Sequence, residues 1–141
     1  MIRAACHCTT VRFELQALPA FVLDCNCTIC RRYGALWAYP KPDEVKRMSA
    51  AGTDTYVWGD REIAFHRCSG CGCVTHTASL DEDRPRIYSV NARMIATLDP
   101  ETVPLRQIDN GHTGVFWTRS QEPAFPGRHP KIEKPGAEDW R

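Results

Sequence analysis

Eight cysteines fall in three tight groups: Cys6-His-Cys8, Cys25-Asn-Cys27-Thr-Ile-Cys30 and Cys68-Ser-Gly-Cys71-Gly-Cys73. Thiols used only for packing would be scattered singly. Thiols one or two residues apart are what a tetrahedral ion with soft ligands requires, zinc first among them. On an extended strand residues i and i+2 face the same side, so Cys6 and Cys8, like Cys25 and Cys27, are expected to share an ion. Cys68-Ser69-Gly70-Cys71-Gly72 suits a tight turn with two sulfurs inward, because its glycines can take the backbone angles needed. No group completes a four-thiolate site alone, so the groups must meet in space. Ion binding then contributes directly to folding.

Three other uses of the thiols compete. Disulfides suit an even count, but Cys6/Cys8 and Cys25/Cys27 are poorly placed to bridge locally. The N-terminus has no apolar run of the kind a secretory signal needs, so a cytoplasmic location is expected, where disulfides do not persist. An iron–sulfur cluster could take Cys25, Cys27 and Cys30 as three ligands. A redox pair at Cys27 and Cys30 lacks the βαβ context of such motifs. Zinc is the reading carried forward.

The elements that must hold these groups are short strands. Val11, Phe13 and Leu15 alternate with Thr10, Arg12 and Glu14, the pattern of a half-buried strand. Similar runs occupy 21–24, 36–39, 53–58, 62–66, 74–77, 86–90 and 103–108, separated by Pro40-Lys-Pro42, Gly52, Gly59-Asp60, Asp99-Pro100 and Asn110-Gly111. Short helical turns are expected at 27–33 and 91–95. The fold class is therefore mainly β with minor helix. A chain of 141 residues, 43% hydrophobic and 25% charged, fits one globular domain. That domain is placed at 1–122. A tail at 123–141, with Pro123, Pro126, Pro130 and Pro135, lies loosely outside the core or docks through Phe125 and Trp140.

Charge narrows the partners. Eighteen Lys+Arg against seventeen Asp+Glu leave a formal +1, and two zinc ions on seven or eight thiolates would make the protein net acidic. That argues against nucleic acid as a partner. No run of about twenty apolar residues is present, so no membrane partner is expected.

The order of the motifs resembles the glutathione-dependent formaldehyde-activating enzyme family, which includes the centromere protein V-like domains. The resemblance rests on Cys6-His-Cys8 before Val11-Arg-Phe13, on Cys25-Asn-Cys27-Thr-Ile-Cys30-Arg-Arg, and on Cys68-Ser-Gly-Cys71-Gly. Tyr56-Val-Trp58-Gly59 and Ser89-Val-Asn91-Ala-Arg93 extend it over roughly residues 1–118. It implies a zinc-stabilised β-tent of antiparallel sheets with two unequal zinc sites. Cys6, Cys8, Cys68 and Cys71 resemble the structural four-thiolate site. Cys25, Cys27 and Cys30 resemble a catalytic site with three protein ligands and an open position, a division that matches the general rule for zinc.

The implied activity is that of a carbon–sulfur lyase in its synthetic direction, adding a thiol such as glutathione to a small aldehyde such as formaldehyde. A thiol with a pKa near 8.5 needs a cation to be mostly thiolate at neutral pH, and an ion on three thiolates suits that task better than making hydroxide. The competing reading is a non-catalytic zinc module for protein or nucleic-acid contacts. A third is a redox responder that oxidises Cys73 and the middle group reversibly.

Several residues stand beside the motifs. Cys73 is either a fourth ligand closing the middle site or a free thiol, and the free thiol is preferred. His66, His76 and His112 titrate in the range useful for proton transfer, with His76 the first to test. His7, between two ligands, is expected to point away from the metal. Arg31 and Arg32 could receive a substrate carboxylate, although surface arginine is the default. Trp37, Trp58, Phe116 and Trp117 are assigned to the core or a pocket wall.

Overall fold

The alternation at Val11, Phe13 and Leu15 places all three in the core. In the computed structural model the described residues are 1–49, 52–59, 61–99, 101–108 and 110, with the backbone of 116–119. The strands are β1 (Ile2–Ala5), β2 (Arg12–Leu15), β3 (Val22–Cys25), β4 (Leu36–Ala38), β5 (Val45–Arg47), β6 (Thr53–Val57), β7 (Ile63–Cys68), β8 (Val74–Ser79), β9 (Ile87–Asn91), β10 (Leu105–Ile108) and β11 (Phe116–Arg119). A four-residue helix α1 (Cys30–Tyr33) and a 3₁₀ turn (Ala92–Met94) are the helical elements among the described residues. The domain limit at 122 and the tail at 123–141 fall outside the described residues, as does His112. No described helix is long and apolar enough to cross a membrane.

A three-stranded sheet has the order β1-β2-β5, and an eight-stranded sheet the order β11-β10-β3-β4-β9-β8-β7-β6. Pairing is antiparallel with one exception: β3 and β10 run parallel, Val22 opposite Leu105 and Asp24 opposite Gln107. A parallel pair cannot be closed by a hairpin, and here the whole β4–β9 section forms the crossover. The strands β1, β5 and β11 were not expected from sequence. Each is three or four residues long, too short for alternation to register.

The pleat of the large sheet sorts its residues onto two faces. Val22, Leu36, Ala38, Val90 and Leu105 pack with Ala4, Phe13 and Leu15 of the small sheet. Leu23, Cys25, Cys30, Trp37 and Phe65 form a second cluster. Register carries the same sorting across β7, β8 and β9. Phe65, Thr77 and Ser89 lie in one row, and His66, His76 and Val90 in the next.

His76 therefore belongs to the face covered by the small sheet. It is 1% exposed, meets the Phe13 ring edge-on at 5.0 Å and stacks on His66 at 4.0 Å. Its Nδ1 lies 2.9 Å from the Thr75 hydroxyl, which donates to the His66 carbonyl at 3.2 Å, so the His76 Nδ1–H donates to Thr75. These bonds allow a polar ring in the core, where an unpartnered one would be costly. The bond to Thr75 is made possible by a bulge that shifts the β7/β8 register after His66.

Burial, reinforced by His66 and Arg47, pushes His76 from 6.5 down to about 3, and burial lowers His66 as well. An unfolded histidine takes up its proton first as pH falls. Stability held above pH 6.5 is thus lost progressively toward pH 3. His76 alone accounts for about 2 kcal/mol between pH 7 and 5. His76→Gln, which can still bond Thr75 but cannot titrate, is expected to flatten the urea-midpoint profile over that interval by this amount.

Candidate metal centres and the cavity beside one of them

Four thiols converge at the end of β7. Cys6 follows β1 directly, Cys8 lies in the turn after it, Cys68 ends β7 and Cys71 lies in the next turn. The Cys6 and Cys8 sulfurs are 3.7 Å apart, those of Cys8 and Cys68 3.5 Å apart, and all four lie within 4.8 Å of one another. Zinc at about 2.3 Å from each sulfur of a tetrahedron requires S–S edges of about 3.8 Å, so the donor set fits. A turn brings Cys6 and Cys8 together, where strand alternation was expected, and the tight turn expected at Cys68 and Cys71 is present. The Cys6 carbonyl accepts from Thr9 at 2.9 Å, and the Cys6 sulfur accepts the Val11 N–H at 3.3 Å.

The second half of the cradle depends on glycine. Gly72 has φ +74 and its N–H reaches the Cys68 carbonyl at 2.8 Å. That left-handed backbone is open to glycine and strained for other residues, whereas a Cβ on Gly70 would meet the Cys8 sulfur at an ordinary contact distance of 3.4 Å. Burial pushes the Cys6 thiol up to about 12, whereas the Cys73 and Cys8 backbone N–H groups hold Cys71 at about 5. Without an ion the group thus combines thiols with thiolate, a mixture that a divalent cation resolves.

Three thiols converge on the other face of the large sheet. Cys25 ends β3, Cys27 lies in the bend beyond it, and Cys30 opens α1. Here too a bend replaces the expected strand pairing of Cys25 and Cys27. The turn is held by Arg31 N–H to the Cys27 carbonyl at 3.1 Å and Gly34 N–H to the Cys30 carbonyl at 3.0 Å. Their sulfurs also lie within 4.8 Å of one another, and no fourth His, Cys, Asp or Glu among the described residues joins the group.

One negative charge is shared within this triad. S–H bonds from Cys25 and Cys30 hold Cys27 down at about 2, and donating to Cys27 raises Cys25 to about 11. Cys30 is pushed up further, by its bonds to both neighbours. The Cys30 sulfur also accepts the indole N–H of buried Trp37 at 3.3 Å. The Cys30 backbone N–H points at the Cys27 sulfur at 3.5 Å.

A cavity of about 450 Å³ opens on the triad. Trp37 and Phe65 line its interior, and the partly exposed Tyr39, Trp58 and Tyr88 line it as well. Arg86 packs over the Tyr88 ring at 4.9 Å. Thr77 and Ser89 supply hydroxyl groups, 2.7 Å apart.

Several residues singled out in the sequence lie elsewhere. His76 and His66 belong to the opposite face of the sheet, so neither touches the cavity. His7 is exposed, and Arg31 and Arg32 are absent from the lining, with Arg32 bonded to the Thr28 carbonyl at 2.7 Å. Cys73 packs with the core beside Cys71, its sulfur facing the His7 N–H, and is not a ligand of the triad. Trp37 and Trp58 line the cavity, in keeping with the core or pocket wall expected for them. Sequence reading did not foresee the bond from Trp37 to Cys30 and did not single out Thr77, because both follow from strand register.

Residues 1–110 match the model of the family described as glutathione-dependent formaldehyde-activating enzyme. The chain belongs to that family. Among solved structures it is similar to a crystal structure of a Rhodobacter sphaeroides protein, at 28% identity and a TM-score of 0.60, over 74% of this chain and 99% of that one. No curated protein matches it. The family and the two thiol groups together support zinc binding.

Two outcomes test the triad. Trp37→Phe keeps the ring but removes the N–H from Cys30. It is expected to weaken zinc at the triad by about tenfold in chelator competition while sparing the four-thiol group. Zinc entering the triad at pH 7 should displace about two protons, those of Cys25 and Cys30, measurable with a pH indicator in weak buffer.

Proposed function

We propose that this chain is a zinc-dependent enzyme of the carbon–sulfur lyase type that adds a thiol, glutathione or one like it, to a small aldehyde such as formaldehyde, yielding an S-hydroxymethyl adduct. The observation that carries this reading is a three-sulfur group bordering a cavity. A structural zinc takes four protein ligands, whereas three leave a position for substrate. Family membership points to the same chemistry, and a cytoplasmic location would give the enzyme its thiol. In this reading residues 1–122 form the catalytic domain.

Cys25, Cys27 and Cys30 would hold the catalytic ion, and Cys6, Cys8, Cys68 and Cys71 the structural one. An ion held there would supply the positive centre that keeps a substrate thiol deprotonated at neutral pH. The chain's own residues do the rest. Trp37 fixes the Cys30 sulfur and draws charge from it, so the triad donates less strongly than free thiolates would. A substrate that fills the space between the apolar walls would displace water from it, leaving the thiolate weakly solvated and the hydroxyl dipoles at lower dielectric. The cavity also holds the aldehyde against the sulfur, replacing a bimolecular encounter by a positioned one.

Elemental analysis of the parent, Cys71→Ala and Cys27→Ala is the test. The parent should carry two zinc ions. Cys71→Ala should unfold, and Cys27→Ala should fold with one ion fewer and lose catalysed adduct formation. A fully active Cys27→Ala, or a parent that adds thiol to formaldehyde no faster than buffer does, would remove the enzymatic reading in favour of a binding module.

A further inference from the structure

The walls of the triad cavity define its occupant more closely than the thiols do. None of the described residues lining it is Lys, Arg, His, Asp or Glu. Away from the triad, a carboxylate or ammonium group against these walls would lose its hydration without a counter-charge, so the part of the cavity lined by the rings suits a neutral group. The volume of about 450 Å³ lies within the range of sites for drug-sized molecules, and an aldehyde of two heavy atoms would leave most of it to water. Aromatic rings supply much of the remaining surface: Trp37, Phe65, Tyr39, Trp58 and Tyr88.

Within this apolar lining lies a pair of buried hydroxyls. Thr77 and Ser89 face each other across β8 and β9, are 4% and 2% exposed, and bond to each other at 2.7 Å. Two hydroxyls bring two hydrogens, and the bond between them uses one. The second hydrogen has no acceptor among the described residues, although buried donors nearly always have one. An oxygen of a bound molecule would supply it.

We propose that the Thr77–Ser89 hydroxyl pair is the oxygen-binding element of this cavity, and that the aldehyde it takes carries a neutral apolar body, aromatic or branched, that fills the walls. This rests on the thiol–aldehyde reading and replaces formaldehyde, which has no such body, with a larger aldehyde as the preferred substrate. The thiolate sulfur bonds to the carbonyl carbon as the C=O π pair moves onto oxygen. The free hydroxyl hydrogen bonds that oxygen and holds it more strongly as charge develops. The proton given up by the thiol ends on the same oxygen, leaving a neutral hemithioacetal with no oxidant or reductant consumed. Thr77 and Ser89 are thus catalytic residues.

The test uses the zinc-loaded full chain with 2-mercaptoethanol as a neutral thiol, comparing benzaldehyde with formaldehyde after subtracting the uncatalysed rate. Unreactive benzamide is the binding probe, read by tryptophan fluorescence because Trp37 and Trp58 line the cavity. Benzaldehyde should exceed formaldehyde in kcat/KM, and benzamide should bind at least about tenfold tighter than acetamide, which differs only in its body. Thr77→Val and Ser89→Ala should each lower kcat/KM and benzamide affinity by about tenfold, whereas Thr77→Ser should keep both.

Folded, zinc-replete variants with parental benzamide binding and turnover would overturn the proposal. Should both variants misfold, benzamide against acetamide in the parent still decides, and equal affinity overturns it. Catalysed addition to formaldehyde with no benzaldehyde turnover overturns the pocket assignment but leaves the reaction standing. Benzamide binding that needs the hydroxyls, in a parent that catalyses no addition, supports the oxygen site and overturns the reaction.

Discussion

Two turns meet sulfur to sulfur at the end of β7, and the rest of the molecule is arranged around that meeting. Cys8 and Cys68 are sixty residues apart in sequence and 3.5 Å apart at their sulfurs. Four thiolates cannot occupy so small a volume without a cation, since each pair would repel across a few ångströms at reduced dielectric. A cation there joins the small sheet to the large one at a single point, and does so through backbone turns that glycine permits. β7 runs into that point and β8 leaves it, so the junction sets where Phe65 and Thr77 stand.

The large sheet separates the packed core from the thiol triad and its cavity by its pleat. One face carries Val90 and the stacked histidines and packs against Phe13 of the small sheet. The other carries the triad, Trp37 and the cavity. Neighbouring residues serve different ends: Leu36 packs in the core and Trp37 steadies a ligand sulfur; His76 is locked under the small sheet and Thr77 lines the cavity. A one-residue slip in β8 would exchange these roles. The bulge after His66 is part of what holds the register.

That partition explains what the chain discloses on inspection and what it conceals. The thiol groups are legible because ligand spacing is local, and the main strands because alternation is local too. Short strands such as β5 lack the length to signal themselves, and the parallel pairing of β3 with β10 depends on contacts far apart in the chain. The suitability of His76 as an acid–base was a statement about residue type. Its burial under Phe13 is a statement about the opposing sheet, which no stretch around residue 76 encodes. Thr77 and Ser89 were hidden for the same reason: each is an ordinary β residue until register brings their hydroxyls together.

The parallel pair has a consequence for how the molecule comes into being. β3 leads into the triad and receives its outer neighbour only when β10 arrives; Gln107 lies 83 residues beyond the Asp24 it faces. At roughly 5–20 residues per second of synthesis, a nascent chain carries an incompletely paired β3 for some seconds. Early in that interval Cys25, Cys27 and Cys30 have left the ribosome while Phe65, Thr77 and Ser89 are still to come. The metal-ready thiols precede the walls that later enclose them. The newborn chain is therefore most open to mistaken metals and stray oxidants before it has a cavity at all.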